Sequence, residues 1–273
     1  MTSAGSNSHE IKASGVHQLS GGAVLLAHAG PLSVLTLNRP ERYNALTCEM
    51  ATGLLQAVQE VQARADCRVL LLHGAGPGFC AGGDVADVAA HFPEVEGAVR
   101  SFLVQFHAFL TLLRSLDVIV LTAVHGSAAG AGLSLAMMGD LCVATADARF
   151  VPAYSKLGVS PDCGGTVGLP EAVGARRALQ IFLLESEFDA NQAERWGLVN
   201  EVCAPDQLME RAQAIAARIA RIPVTACQQT KALLRREGRV MAEQLDAELE
   251  ALVQCTRTEQ YRSAVRAFLE KSA

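Results

Sequence analysis

The sequence predicts an α/β domain built on a largely parallel sheet and continued by a helical C-terminal segment. Two observations carry this prediction. Apolar runs such as Arg68–His73 (RVLLLH) and Val118–Val124 (VIVLTAV) show almost no alternation, as strands do when both faces of a parallel sheet are covered. Each run leads into a glycine-rich loop and then a helical pattern, the strand–loop–helix order of crossover-linked units. With 273 residues, 50% of them hydrophobic, the chain can bury one sizeable core.

In chain order, residues 1–20 are rich in Ser, Gly and His and read as a flexible leader, without the basic and apolar blocks of a signal peptide. Ala23–Ala27 and Leu32–Leu37 flank an Ala-Gly-Pro turn and predict a hairpin that Pro40 ends. Thr47 is placed to cap a helix running to about Ala65, with Leu54, Leu55, Val58 and Val61 on one face. The strand at 68–73 leads through the loop GAGPGFCAGGD into a helical stretch ending near Leu116. Val118–Val124 is the next strand, Ala131–Met138 a helix and Leu141–Thr145 a further strand. A glycine-rich loop at Ser155–Gly168 precedes a helix at Ala175–Leu184. Beyond Asp189 the spacing is nearly all helical: Gln207–Arg221, Thr225–Arg236 and one long segment, Val240–Ala267. The division is therefore leader 1–20, core 21–200 and helical region 201–273.

Several function classes lose their support. A net charge of −5 and 5% aromatic residues argue against nucleic acid, which calls for clustered basic residues and stacking platforms. The uncharged stretch Val118–Gly139 has His125, Gly126, Ser127, Gly130, Gly132 and Ser134 in and after its middle, so it reads as a buried strand, loop and helix, not a membrane span. The eight cysteines are scattered and never form CxxC, the usage of reduced thiols in a cytoplasmic protein. There is no HExxH, GxSxG or P-loop motif and no His/Cys cluster at ligand spacing, so no metal is expected.

Candidate chemistry lies in two glycine loops and one carboxylate. Phe79–Asp84 (FCAGGD) and His125–Gly132 (HGSAAGAG) both follow apolar strands, where bare backbone N–H groups can point into a crevice. The second loop opens a helix, adding the positive end of its dipole. Each also reads as a tight turn that simply closes a strand–helix unit. Asp162 sits in SPDCGGT among Leu157, Val159, Val167 and Leu169, where desolvation would raise its pKa toward that of a useful general base. Its competing reading is an Asx turn or cap for the helix that starts at Gly164. Asp84, Asp140, Asp147 and Asp189 read as turn or cap residues, and His125 as a strand-end side chain tied to backbone.

Taken together, LNRP with Asn44-Ala45-Leu46, FCAGGD, VHGSAAGAGLSLAMMGD, SKLGVSPDCGGT, FDANQAERWGLVNEV and QYRSAVRAFLEK resemble, in order, the crotonase (enoyl-CoA hydratase/isomerase) superfamily. The resemblance covers the chain from about Ala23 onward. It implies a spiral ββα core, a C-terminal helical trimerisation region, and a homotrimer or hexamer. It also implies an acyl-CoA thioester substrate, so that coenzyme A arrives as part of the substrate and no separate cofactor is expected. By the same resemblance, Gly83 and Ala131 supply the two N–H groups of an oxyanion hole, and Arg42, Ala81, Gly83, Asp84 and Val85 line the coenzyme A site. Arg42 has two readings, a phosphate contact and a solvated surface charge.

The departures from the family pattern indicate the reaction. Family hydratases hold water with two glutamates, and here those positions are Ser134 and Tyr154, neither of which ionises near neutral pH. Asp162 instead stands where several isomerase members carry their acid/base, in a stretch most like isomerases of ring-derived phenylacetyl-CoA. Glu171 occupies a position where many relatives have Arg. The leading expectation is an enoyl-CoA isomerase in which Asp162 moves a proton from C2 to C4. The alternatives are an enoyl-CoA hydratase, an aryl-CoA dehalogenase with Asp162 as nucleophile, and a non-catalytic acyl-CoA-binding scaffold. For assembly, Leu208, Ile215, Ile219, Leu245, Leu249 and Leu252 are expected to be uncovered on a lone chain and to drive trimer formation.

Overall fold

The computed structural model describes residues 15–92, 94–185, 187–234 and 238–272. In chain order the core comprises β1 (Val16–Leu19), β2 (Val24–Ala29), β3 (Leu32–Leu37), α1 (Cys48–Gln62), β4 (Val69–Gly74), α2 (Val85–Ala89) and α3 (Val95–Ser115). It continues through β5 (Ile119–Val124), β6 (Ser127–Ala129), α4 (Ala131–Met137), β7 (Leu141–Thr145), β8 (Arg149–Val151), α5 (Tyr154–Leu157), α6 (Gly165–Val173) and α7 (Ala175–Leu184). Then come β9 (Phe188–Asp189), α8 (Ala190–Trp196), β10 (Glu201–Cys203), α9 (Leu208–Ala220), α10 (Val224–Leu234), α11 (Gly238–Thr256) and α12 (Glu259–Ser272).

The main sheet has seven strands in the order β1-β2-β3-β4-β5-β7-β10. The first three are antiparallel, and every pairing from β3 to β10 is parallel. The unbroken apolar run of β4 now has its reason. Leu70 and Leu72 pack into the core on the side of α1 and α3, while Val69 and Leu71 join Leu208, Ala212 and Ala216 of α9 on the opposite face. Thr47 caps α1, its Oγ1 accepting the Met50 N–H at 3.2 Å, and Leu54, Val58 and Val61 are buried on the expected face.

Several expectations are corrected. The leader was placed at 1–20, yet β1 pairs with β2 from Val16 to Leu19, so ordered structure begins inside that stretch; residues 1–14 lie outside the described part. The core was closed at 200, but β10 pairs with β7 through Cys203. A second sheet of three short strands, β6-β8-β9, was not foreseen. The long segment 240–267 divides into α11 and α12, and the break is a cap: Thr258 Oγ1 accepts the Tyr261 N–H at 3.2 Å.

The apolar tail positions are also reassigned. Leu208, Ile219, Leu245, Leu249 and Leu252 are buried within the chain itself, and Ile215 packs against the sheet-facing cluster. The charge-free stretch 118–139 folds as β5, β6 and α4, and among the described residues no helix is long and apolar enough to cross a membrane.

Candidate active site

The two glycine loops are laced together by backbone. The Cys80 N–H donates to the Ser127 carbonyl at 3.1 Å, and the Ala129 N–H donates to the Cys80 carbonyl at 2.9 Å. The first loop is also held to the chain before α1, where the Leu46 N–H donates to Gly82 O at 2.7 Å and the Asp84 N–H to Leu46 O at 3.0 Å. The Gly83 and Ala131 amides lie on these two laced segments, and among the described residues neither donates a hydrogen bond within the protein. A Cβ at Gly82 would stand 3.3 Å from the Ala131 nitrogen, which shows how closely the loops approach. A Cβ at Gly83 would meet nothing within 4 Å, so the space in front of that residue is open. Two unsatisfied N–H donors, one of them at the first residue of α4, are suited to an anionic oxygen.

Sequence reasoning missed the residue that ties the first loop. Asn44 is fully buried with a left-handed φ of 57°, a conformation Asn tolerates better than most residues. Its Nδ2 donates to the carbonyls of Ala75, Gly78 and Phe79, and its Oδ1 accepts the Arg39 N–H.

Asp162 is buried, and burial raises its carboxyl to about 6, only partly offset by hydrogen bonds from Tyr154 and Cys163. The cap reading is overturned: the N-cap residue of α6 is Gly164, which has no side chain to offer, and Asp162 Oδ1 accepts the Tyr154 hydroxyl at 2.8 Å instead. Tyr154 Oη is itself 2.7 Å from Ser134 Oγ. The two positions at which hydratases carry glutamates thus form, with Asp162, one hydrogen-bonded chain from Ser134 through Tyr154 to the carboxylate. Burial together with the Asp162 charge holds the Tyr154 phenol above its ordinary range, so it stays a proton donor to Asp162. Gly165 makes the arrangement possible, because a Cβ there would collide with Ser134 Oγ.

The cap of α6 comes from another part of the chain. Glu248, on α11, accepts the Gly164 N–H at 2.8 Å and the Thr166 N–H at 2.9 Å, and burial raises its carboxyl to about 7. From the sequence the tail is expected only as a helical trimerisation region. The available signal was a carboxylate on an apolar stripe, since Leu245, Glu248, Leu249 and Leu252 share one helical face.

Both raised carboxyls bear on stability. Because their folded pKa values lie above the unfolded ones, their neutral forms favour folding below about pH 4, and that contribution is lost as the pH rises through 6 and 7. Asp162→Asn keeps an acceptor for Tyr154 and removes the buried charge. A shift of about two units corresponds to about 3 kcal/mol, so the variant is expected to melt higher by about 5 °C or more at pH 8. Its advantage should shrink toward pH 5. Calorimetry finding the same difference at both pH values would remove burial of the charge as the cause.

The residues expected to line a coenzyme A site are spread along one rim. Arg42 and Ala81 are exposed, and the Ala81 N–H donates to Tyr43 O at 2.9 Å, which puts the two segments side by side. Gly83, Asp84 and Val85 follow, partly buried. Asp84 is the expected cap, its Oδ1 accepting the Asp87 N–H at 3.3 Å, and it pairs with Arg39 at 3.2 Å. Asp189 caps α8 and His125 Nε2 lies 2.9 Å from Gly76 O, both as anticipated. Glu171 has a local explanation, a 2.7 Å ion pair with Arg114. Folding also gathers His17, His28 and Glu60, whose potential ligand atoms lie within 4.8 Å of one another on the outer strands and α1, apart from Asp162 and the glycine loops. A 2.9 Å contact between His17 Nδ1 and Glu60 accounts for part of that approach.

A domain with this fold, a pair of unsatisfied amides and a buried carboxylate has the equipment for chemistry beside a thioester carbonyl. The family model for enoyl-CoA hydratase/isomerase matches residues 28–273, and the chain belongs to that family. It is 39% identical to the 1,2-epoxyphenylacetyl-CoA isomerase of Escherichia coli, over 87% of this chain and 91% of the relative. It is 35% identical to a probable enoyl-CoA hydratase of Rhodobacter capsulatus, over 88% of this chain and 92% of the relative. Among solved structures, an enoyl-CoA hydratase from Bacillus halodurans superposes with a TM-score of 0.83 at 25% identity, covering 90% of this chain and 99% of the other. The crotonase-like fold expected from the sequence is therefore the observed one.

Proposed function

We propose that the protein is an isomerase of unsaturated acyl-CoA thioesters, with Asp162 as the proton-transfer residue and the Gly83 and Ala131 amides as the oxyanion hole. The observation that supports this most is the chain Ser134–Tyr154–Asp162, which has no carboxylate at the two positions used for water activation in hydratases and a single one, Asp162, hydrogen-bonded to them. Asp162 takes a proton from the carbon next to the thioester, and negative charge builds on the carbonyl oxygen. Each preorganised N–H aimed at that oxygen is worth about 3 kcal/mol. The protonated Asp162, poised near neutrality, then returns the proton to C4. Arg42, Ala81, Asp84 and Val85 would carry the coenzyme A portion along the exposed rim. The isomerase name of the Escherichia coli relative is consistent with this reading and brings a ring-derived acetyl-CoA into the substrate range to be tested.

Hydration requires a second group that delivers water while a proton reaches carbon. Isomerisation of a 3-enoyl-CoA is therefore expected to exceed hydration of a 2-enoyl-CoA by about a hundredfold or more. Parallel assays of the two substrates check this; hydration as fast as isomerisation would defeat the reading.

The assembly proposed is a homotrimer or a hexamer. Its support has moved from the tail positions to α7 and α10, where Leu184 and Leu234 are 79% and 82% exposed and Leu179, Leu183 and Leu233 are exposed beside them. Light scattering should show a trimer or hexamer at micromolar concentration, and a stable monomer would contradict it.

A further inference from the structure

We propose that Glu248, in the C-terminal helix α11, is a positioning residue for Asp162, anchoring the backbone of the loop that carries it. The inference rests on the proton-transfer reading of Asp162 and extends it to a segment that otherwise serves only to pack.

The geometry is specific. Asp162 is followed by Cys163 and Gly164, both with left-handed φ values of 54° and 78°, so the loop holds a conformation that a non-glycine residue adopts only under constraint. The constraint comes from two sides. The Gly165 N–H donates to the Asp162 carbonyl at 2.9 Å, and Glu248 receives the Gly164 and Thr166 amides and the Thr166 hydroxyl. Gln244, one helical turn earlier, donates to that same hydroxyl at 2.7 Å. Glu248 is 3% exposed, and among the described residues no Lys or Arg pairs with it, so its partners are backbone amides and hydroxyl of this loop.

Few titratable groups face it. The Asp162 charge acts on Glu248, and Glu248 in turn holds up the neighbouring Cys163 thiol. From the elements packed on α11, His107 of α3 is set against Asp246, Glu171 of α6 is paired with Arg114, and Tyr261 of α12 responds to Asp162. Of the two buried carboxyls Asp162 ionises first, at about 6, while Glu248 with its value of about 7 is still neutral, so Glu248 acts on Asp162 through the loop backbone and not through its charge.

The test reads the position of Asp162 apart from its acidity, on the full chain. The first readout is the Asp162 carboxyl carbon, followed by 13C NMR against pH. The second is deuterium uptake from D2O at the carbon next to the thioester of a saturated acyl-CoA, which needs Asp162 but no particular double bond. Glu248→Gln is expected to leave the Asp162 midpoint of about 6 in place, because Glu248 is neutral at that pH. It should also slow exchange by about tenfold to a hundredfold, as a misplaced reacting group does, with KM nearly unchanged. Thr166→Val removes one tether only, so it should slow exchange less and likewise leave the midpoint in place. An exchange rate unchanged in Glu248→Gln, or slowed only together with a shifted Asp162 midpoint, would overturn the inference; if that variant does not fold, an unchanged rate in Thr166→Val does so. A wild-type protein that fails to exchange would instead sink the proton-transfer reading on which the inference rests.

Discussion

Asp162→Ala is expected to lower turnover of a 3-enoyl-CoA by about 10²–10⁴-fold, the range of a positioned general acid–base group. The carboxyl is the one ionisable group in the Ser134–Tyr154–Asp162 chain that gives and takes a proton near pH 6, because burial has lifted it there and has pushed the Tyr154 phenol out of reach. Binding should be spared. The coenzyme A portion and the thioester oxygen are assigned to other groups, so affinity for a non-reacting acyl-CoA is expected to stay within a few fold. Steady-state kinetics with calorimetric binding would separate the two. Equal losses of binding and turnover would make Asp162 structural. In the wild type, kcat/KM should rise with pH through about 6 and level off above it, since the base must be ionised to accept a proton.

Gly132→Ala is expected to cost about 10²–10³ in turnover, the scale set by losing one oxyanion donor. Alanine is the better helix former and Gly132 is the second residue of α4, so local propensity alone would favour the change. The added Cβ, however, would collide with the Cys80 carbonyl oxygen. That oxygen accepts the Ala129 N–H and belongs to the loop that carries Gly83, so relieving the clash pushes the two amides apart. Asp162 and its hydrogen bonds are not involved, and the pH midpoint of kcat/KM should therefore stay where it is. A folded Gly132→Ala variant with turnover within twofold of wild type would show that the loop contact does not set the oxyanion geometry.

What the sequence disclosed follows from what each element buries. The parallel strands were legible because both faces are covered, leaving uninterrupted apolar runs such as Val69–Leu72. α1 was legible from one apolar stripe behind a threonine cap. β1 was not, because its residues are mostly exposed and its stretch VHQL carries no strand pattern. β6, β8 and β9 are two or three residues long and built partly of Ser and Ala, so they read as loop. The second glycine loop is drawn against the first by a single backbone bridge between Cys80 and Ala128, a pairing too short to leave a strand pattern, which explains why the convergence of the loops stayed open on sequence alone. Asp162 was visible as a carboxylate among apolar neighbours, but whether it caps a helix depended on Glu248, 86 positions away and placed by tertiary packing.

The most direct measurement follows a 3-enoyl-CoA carrying deuterium at C2, turned over in ordinary water. A single buried carboxylate that removes and returns the proton should deliver deuterium to C4 of the 2-enoyl product, detected by mass spectrometry within the first turnovers. A 3-hydroxyacyl-CoA as the main product, or a 2-enoyl product formed equally fast by Asp162→Ala, would contradict the account.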